Sequence, residues 1–408
     1  MSVSRRAFLA TTAATATWTA KSYSAVIGAN DRIRVGVIGC GGMATGHMTS
    51  LKRVQEQDNF TFTAVCDLYD KRLKNAADLT GGKPYQHHQD LLAASDVDYV
   101  LIATPEHQHF PVAMDAIKAG KHIYLEKPMT KTSAEGKKLV ETVKASNIKM
   151  QVGVQGTSDL SYVTANKYVK DGTLGDIVMA QIDYSRNYSD EGDFWAYEID
   201  ADAKPGTNID WQRWLGSAPK RPYDADRFFR WRRYWDYSSG IASDLFVHRV
   251  TRIIKSLDLG FPQFGVGVGG TYHFRDSKAE IPDTFNIMLD YANGPTVCLV
   301  SSMANGAPIR HMIRGSKATL TFTREGFDIE PERYMRDKIK PIHYDREGRE
   351  DVVLHHRNLM GAVRKGEPLN CDVDLGLKGV VACELGTMSF RSRSYMRWDS
   401  GKMKAVKA

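Results

Sequence analysis

Arg34-Val35-Gly36-Val37-Ile38-Gly39-Cys40-Gly41-Gly42-Met43-Ala44 decides how the first half of the chain is read. Arg34 to Ile38 is a short apolar run rich in β-branched residues, as expected of a parallel strand buried on both faces. It runs straight into Gly-x-Gly-x-x-Ala, and a helix-like stretch follows from Met43 to about Val54. The small residues serve distinct ends. Gly39 permits the tight turn, Gly41 lets backbone approach a pyrophosphate, and Ala44 lets the helix pack closely on the strand. Gly42 and Met43 open that helix, whose free N–H groups and positive dipole end suit phosphate oxygens. Alone the motif is weak, and its surroundings strengthen it. A second strand, Phe60 to Cys66, ends at Asp67, 23 residues beyond Ala44, close to the ~20 expected of an acid that holds the adenosine ribose hydroxyls. Strand, glycine turn, helix, strand and acid in that order predict a bound dinucleotide. A carboxylate at Asp67 would repel a 2′-phosphate, so NAD is favoured; Lys71 and Arg72 just beyond keep NADP open.

The α/β rhythm continues outward. Val97 to Ala103 reads as a strand, followed by Thr104-Pro105-Glu106-His107-Gln108-His109; Phe110 to Ala119 reads as a helix stopped by Gly120. His122 to Leu125 is a further strand ending in Glu126-Lys127-Pro128, Thr132 to Ser146 an amphipathic helix, and Lys149 to Val154 another strand. Strands alternating with helices over short connections predict a doubly wound parallel sheet, a Rossmann domain over 31–153. Ligands on such sheets bind beyond the C-terminal strand ends, where Gly39, Asp67, Thr104 and Lys127 all fall.

Residues 154–400 read differently. After a helix from Tyr162 to Lys170, β-like runs follow at 177–184, 264–273, 285–291, 296–301 and 318–322, with Asn293-Gly294 as a hairpin signal. They predict an α+β domain with a large, mostly antiparallel, open sheet. Between Trp195 and Tyr237 the chain is rich in aromatics and arginine, including Trp211, Trp214, Phe228, Phe229, Trp231, Arg232 and Arg233. Such rings could stack on sugar faces and the arginines bind hydroxyls or a carboxylate, or the segment could pack as a loop against the sheet with its arginines solvated.

Composition narrows the classes. With 408 residues, 42% hydrophobic and 25% charged, the chain is ordinary globular material for two or three domains. The net charge is +7, and +4 once the first 29 residues with Arg5, Arg6 and Lys21 are set aside, too mild to imply nucleic acid. No apolar run reaches the ~18 residues of a membrane span. Five cysteines without a CxxC pair argue against a disulfide framework or a cysteine zinc site, HExxH is absent, and no metal is implied. The adjacent pairs His87-His88 and His355-His356 do not place two ligands on one regular face. Ser4-Arg5-Arg6-Ala7-Phe8-Leu9, then a mild Ala/Thr stretch and small residues, is similar to a twin-arginine export signal over residues 1–28. It predicts use of the twin-arginine machinery, an address outside the cytoplasm, and folding before export.

Four patterns coincide: Gly-x-Gly-x-x-Ala at Gly39, Asp67 after the second strand, Thr-Pro-x-x-x-His from Thr104 to His109, and Glu-Lys-Pro at Glu126 to Pro128. Together they resemble the glucose–fructose oxidoreductase and inositol dehydrogenase family (Gfo/Idh/MocA), over about Asp31 to Arg393. The resemblance implies that Lys127 lies near the nicotinamide and the substrate hydroxyl, with Thr104, Pro105, His109 and Glu126 close to the cofactor. It further implies that Asp244 and His248, after Gly240 and four residues apart on one helix face, converge with Lys127 on the substrate. A longer glycine run is usual in the family where this chain has Ser238-Ser239-Gly240. The segment Asn358 to Gly366 with Cys371 to Asp374 resembles the family's C-terminal return to the nucleotide domain. The family's open sheet implies a homo-dimer or homo-tetramer.

The implied reaction is a hydride transfer between a nicotinamide and a secondary hydroxyl of a sugar, glycoside or polyol. His248 is the expected proton acceptor, Lys127 the cation that stabilises alkoxide charge, and Asp244 the orienting group. Outside the membrane little free nucleotide exists, so the cofactor is expected to stay bound and be recycled. Two alternatives stay open: a glycoside hydrolase using NAD for transient oxidation, and a non-catalytic sugar-binding protein.

Overall fold

The computed structural model describes residues 31–292, 294–347 and 351–408; the export-like segment and Asn293 of the expected hairpin lie outside them. The first sheet has six parallel strands in the order β3-β2-β1-β4-β5-β6. They are β1 Ile33–Ile38, β2 Phe60–Cys66, β3 Lys83–Tyr85, β4 Tyr99–Ile102, β5 His122–Glu126 and β6 Met150–Gly153. Crossover helices are α1 (Gly42–Lys52), α2 (Asp70–Thr80), α3 (His88–Leu92), α4 (Glu106–Lys118) and α5 (Ser133–Lys144). Strand order reverses between β1 and β4, so the glycine turn and Thr104 flank the switch point where such sheets bind ligands. α4 begins four residues before the expected Phe110 and carries Pro111 in its second turn. Its polar first turn, Glu106 to His109, hid the start.

The remaining helices are α6 (Leu160–Lys170), α7 (Trp211–Leu215), α8 (Ala225–Phe229), α9 (Val247–Leu257), α10 (Val352–Lys365) and α11 (Val373–Ser392). The second sheet has ten strands in the order β14-β13-β12-β11-β7-β10-β9-β8-β15-β16. In chain order they are Ile177–Asp183, Phe264–Gly270, Thr284–Asp290, Thr296–Ser302, Met312–Gly315, Ala318–Phe322, Gly326–Pro331, Ile342–Asp345, Met396–Asp399 and Lys404–Lys407. All neighbours run antiparallel except β7 and β10. Period-2 burial in β8, β9 and β10 turns one face inward, where α11 packs on β8 and β9 and α9 on β7, and leaves Val178, Val268 and Met288 exposed on the strands.

Three features depart from a plain two-part chain. The second sheet runs on to Lys407, past the expected end at 400. α10 crosses back, and its Val353, Leu359 and Met360 are buried with Ala44, Met48 and Leu51 of α1, so the nucleotide domain is completed from the far end of the chain. The aromatic segment does not simply line the second sheet. Trp211, Trp214, Phe228, Phe229, Tyr234 and Tyr237 form their own core with Tyr69 of the first domain. It is a strap laid across the nucleotide domain, because Tyr69 offers it an apolar anchor and the edge around Leu68 to Asp70 offers it backbone partners.

Candidate active site

At the switch point lies a cavity of about 650 Å³. Gly39, Gly41, Gly42, Met43, Asp67, Thr104 and Pro105 wall it on one side; Tyr197, Arg213, Trp214, Phe228, Trp231 and Arg232 of the strap wall it on the other. Gly39 has φ +86°, and a Cβ there would stand 2.8 Å from the Thr104 nitrogen, so both backbone freedom and close approach demand glycine. A Cβ on Gly42 would meet nothing within 4 Å, which leaves room beside the turn. No side chain caps α1, so its leading N–H groups are left for a ligand. Ala44 is fully buried beneath, against the core.

Asp67 is set by its own backbone surroundings. Its Oδ2 accepts from the Cys40 N–H at 2.7 Å and its Oδ1 from the Tyr69 N–H at 2.8 Å. Burial raises its carboxyl above the usual value, while Arg72 and those N–H groups pull the other way. Thr104 Oγ1 is buried without a protein partner. Glycine turn, uncapped helix, placed carboxylate and orphaned hydroxyl on one cavity fit a dinucleotide.

The Thr104–His109 turn is a hub. His109 Nδ1 lies 2.7 Å from the Pro128 carbonyl and Nε2 2.9 Å from that of Thr104. His107 Nε2 and Gln108 Nε2 reach the Trp214 carbonyl of the strap at 2.9 and 2.8 Å. Glu106, 1% exposed, accepts from Ser238 Oγ at 2.7 Å, Ser243 Oγ at 2.9 Å and the Ser239 N–H at 3.2 Å. Six residues thus fasten the Lys127 loop, the strap and the start of the second-domain helix to one point. His109 and Glu126 support the cavity from behind and are not among its wall residues.

Lys127 and Asp244 meet across the two domains. Lys127 Nζ donates to Asp244 Oδ1 at 2.8 Å and to the Asp244 carbonyl at 2.9 Å. Arg232 Nε donates to the same Oδ1 at 2.9 Å. Burial pushes the Asp244 carboxyl up, but Arg232 and Lys127 outweigh it and hold it far below the usual range. His248 does not bond to Asp244. A π-helical turn, Ala242–Phe246, precedes α9 and alters the expected one-turn spacing. The His248 ring is 9% exposed, lies parallel to Tyr184 with centroids 6.2 Å apart, and has Nδ1 without a partner. Burial, with Lys127 and Arg252 nearby, holds its imidazole well below the ordinary histidine value, so it is neutral and able to accept a proton. Lys127, Asp244 and His248 are not among the wall residues of the cavity; Arg232, which is, joins Lys127 through the shared Asp244 oxygen.

The sequence reading missed one buried chain. Glu126 Oε1 lies 3.0 Å from His47 Nε2, His47 Nδ1 2.9 Å from His356 Nε2, and His356 Nδ1 3.1 Å from the Tyr99 hydroxyl. His356 belongs to a pair that sequence alone set aside. The signal was on α1, where His47 shares the apolar face of Ala44, Met48 and Leu51.

Among the described residues no cluster of three or more His, Cys, Asp or Glu side chains could hold a metal ion, and no helix is long and apolar enough to cross a membrane. A family model described as "Oxidoreductase family, NAD-binding Rossmann fold" matches residues 33–154, and its companion, "Oxidoreductase family, C-terminal alpha/beta domain", matches 160–319. The chain is 29% identical over 186 residues to an inositol 2-dehydrogenase of Rubrobacter xylanophilus, covering 45% of this chain and 49% of the relative. It is 32% identical over 152 residues to oxidoreductase P35 of Formosa agariphila, covering 37% and 47%. These matches span about half the length of the curated relatives. Levoglucosan dehydrogenase in complex with NADH has the same fold, with TM-score 0.70, 18% identity, and coverage of 89% of this chain and 98% of that one. The WlbA dehydrogenase of Bordetella pertussis, solved with NADH and UDP-GlcNAcA, aligns with TM-score 0.67 and 19% identity over 90% and 99%. The chain therefore belongs to the Gfo/Idh/MocA oxidoreductase family, and its first domain is that family's NAD-binding Rossmann domain.

Proposed function

We propose that this protein is an NAD-dependent oxidoreductase acting on a secondary hydroxyl of a sugar, glycoside or polyol. The observation that carries the reading is the Lys127–Asp244 contact, made between the two domains beside the dinucleotide cavity. NAD supplies the hydride acceptor. Lys127, as a cation, polarises the substrate hydroxyl and steadies alkoxide charge. Neutral His248 takes the hydroxyl proton. Asp244, fixed as a carboxylate by its two cations, orients Lys127. Dehydrogenases of inositol and of levoglucosan among the similar proteins support a polyol or sugar substrate.

The strap supports a resident cofactor. Its Asp200 accepts from the Tyr69 hydroxyl at 2.8 Å and Lys71 Nζ at 2.5 Å, and Asp210 and Asn208 exchange backbone hydrogen bonds with Leu68 and Asp70. The nucleotide is thus enclosed from the second domain and recycled in place. The segment around Ser4 to Leu9 directs export through the twin-arginine machinery to the periplasm or beyond. The uncovered sheet face with Val178, Val268 and Met288 supports a homo-dimer or homo-tetramer. To test the function, purified protein is denatured and the released nucleotide identified, and native protein is given a sugar panel with product analysis. Bound NAD(H) and a keto-sugar product are expected. An empty protein, or a cleaved glycoside without net oxidation, would overturn the reading.

A further inference from the structure

Around the Lys127–Asp244 pair, several guanidinium groups have donors without protein partners. Arg232 uses only Nε on Asp244; among the described residues its two terminal nitrogens have no protein partner. The side chain reaches the cavity wall, over Trp231 at 4.3 Å and Tyr197 at 5.8 Å. Two more guanidinium groups stand against Tyr184, the ring that faces His248. Those of Arg186 and Arg249 lie 5.3 and 4.9 Å from the Tyr184 ring centre, and that ring is parallel to the imidazole. Arg186 donates to the Tyr188 hydroxyl at 3.1 Å and is hydrogen-bonded to the Tyr184 side chain as well, and neither Arg186 nor Arg249 has a carboxylate in ion-pair reach among the described residues. Arg186 lies close enough to act on both the His248 ring and the Tyr197 hydroxyl, and Arg232 acts on the latter as well.

The nearby acids are engaged elsewhere. Asp244 holds Lys127 and Arg232, and Glu106 holds three donors from Ser238, Ser239 and Ser243. Asp183 accepts from the Ser185 N–H at 2.9 Å and hydroxyl at 2.8 Å. Glu198, on the cavity wall, is paired with none of the three arginines. A lone rim arginine is an ordinary solvated cation. Here one fork on the cavity wall is bonded to the Lys127–Asp244 pair, and two more cations stand against the Tyr184 ring that faces the His248 imidazole. Planar forks with spare N–H donors match the paired oxygens of an oxyanion.

We propose that the substrate is an acidic sugar, carrying a carboxylate or a sulfate ester that Arg232 binds with help from the field of Arg186 and Arg249. The proposal rests on the oxidoreductase reading and narrows its substrate. The anion docks on the strap, and the link from Arg232 to Asp244 sets its distance from Lys127.

Binding to the NAD-loaded protein is measured by tryptophan fluorescence and calorimetry, with turnover in parallel. The probes are D-glucuronate and D-galacturonate, D-glucose 6-sulfate, and the neutral D-glucose, D-galactose and myo-inositol. At least one acid should bind tenfold or more tighter than its neutral counterpart, with the gap narrowing as salt rises. The uronate and sulfate arms tell which oxyanion fits. Arg232→Gln should reduce the acid-to-neutral affinity ratio by roughly ten- to a hundredfold, with Arg232→Lys between. Arg186→Gln, which leaves the Asp244 contacts alone, should lower the same ratio by a smaller factor. Neutral sugars binding as tightly as the acids, or a ratio unchanged in both Gln variants, would overturn the proposal. Selective acid binding without any oxidised product would leave it standing and remove the oxidoreductase reading instead.

Discussion

Lys127, Asp244 and His248 are each placed by a different constraint. Lys127 follows the turn held by His109, Asp244 sits in a π-helical turn, and His248 opens α9 against Tyr184. Lys127→Ala and His248→Ala should each lower kcat by roughly 10²–10⁴-fold while the purified variants still carry nucleotide; full turnover in either would remove that side chain from the chemistry. Asp244→Asn tests a different quantity. It leaves Lys127 and Arg232 buried side by side without their shared charge, a loss of ~3–5 kcal/mol in stability, read as a lower denaturant midpoint together with lost turnover. The depressed imidazole also sets a pH expectation. The proton-accepting form of His248 persists as pH falls past the ordinary histidine value and is lost only on passing through its lowered one. The acid limb of kcat should therefore lie well below pH 6.5, and a limb centred at 6.5 or above would assign the base elsewhere.

The elements differ in how far local sequence specifies them. β1, β2 and β12 stand out as β-branched runs, and the glycine turn announces α1. β13 and β14 do not, because these strands near the sheet's edge alternate Phe327 and Ile329 with Asp328 and Glu330, or Ile342 and Tyr344 with His343 and Asp345, and charges at a sheet edge look like loop. α2 hides behind a narrow buried stripe of Leu73, Ala76 and Thr80. The π-helical turn is less legible still, since it is held by Glu106, a carboxylate 137 residues before Ser243. Asp67, Lys127 and the Asp244–His248 pair carried motif signals, and Arg232 stood among several arginines of the aromatic segment that could bind hydroxyls or a carboxylate; its link to Asp244, and the role of Glu106, emerged only when the strap and the hub turn came together. The strap itself has a measurable duty. Asp200→Ala combined with Tyr69→Phe removes its side-chain latch on Lys71 and Tyr69. Because Lys71 is exposed and such a pair is weakened by solvent, bound nucleotide should exchange with labelled NAD faster by a modest factor, roughly two- to fivefold, than in the parent protein. An unchanged exchange rate would show that the strap covers the cavity without retaining its contents.

Taken as one body, the protein holds an unusual load of interior imidazole. His107, His109, His248, His311, His355 and His356 are buried, and burial lowers the pKa of all six, His107 and His355 to about 4. They come from both halves: His107 and His109 start α4, His355 and His356 lie on α10 where it completes the first core, and His311 is wedged beside Phe322 and Tyr162. Each keeps its neutral form to a lower pH in the folded chain than the value near 6.5 at which it titrates when unfolded. Below about pH 6.5 the unfolded chain therefore takes up protons that the folded chain refuses, and stability falls as pH falls until each lowered value is reached, about 4 for His107 and His355. Each contributes up to about 1.4 kcal/mol per pH unit. Glu106, Glu135 and Glu384, whose carboxyls burial pushes upward, have the opposite sign and return part of the loss. A net fall of several kcal/mol between pH 7.5 and pH 5.5 is large against a stability of ~5–15 kcal/mol, and Tm should drop by roughly 5–15 °C. His311→Phe isolates one contributor, because the aromatic pocket accepts a ring of similar size and the charge of interest is gone. In that variant the dependence of unfolding free energy on pH should flatten by about one proton between pH 6.5 and 5.5. Equal slopes in variant and parent would mean that His311 is protonated inside the folded protein, against the burial seen for it.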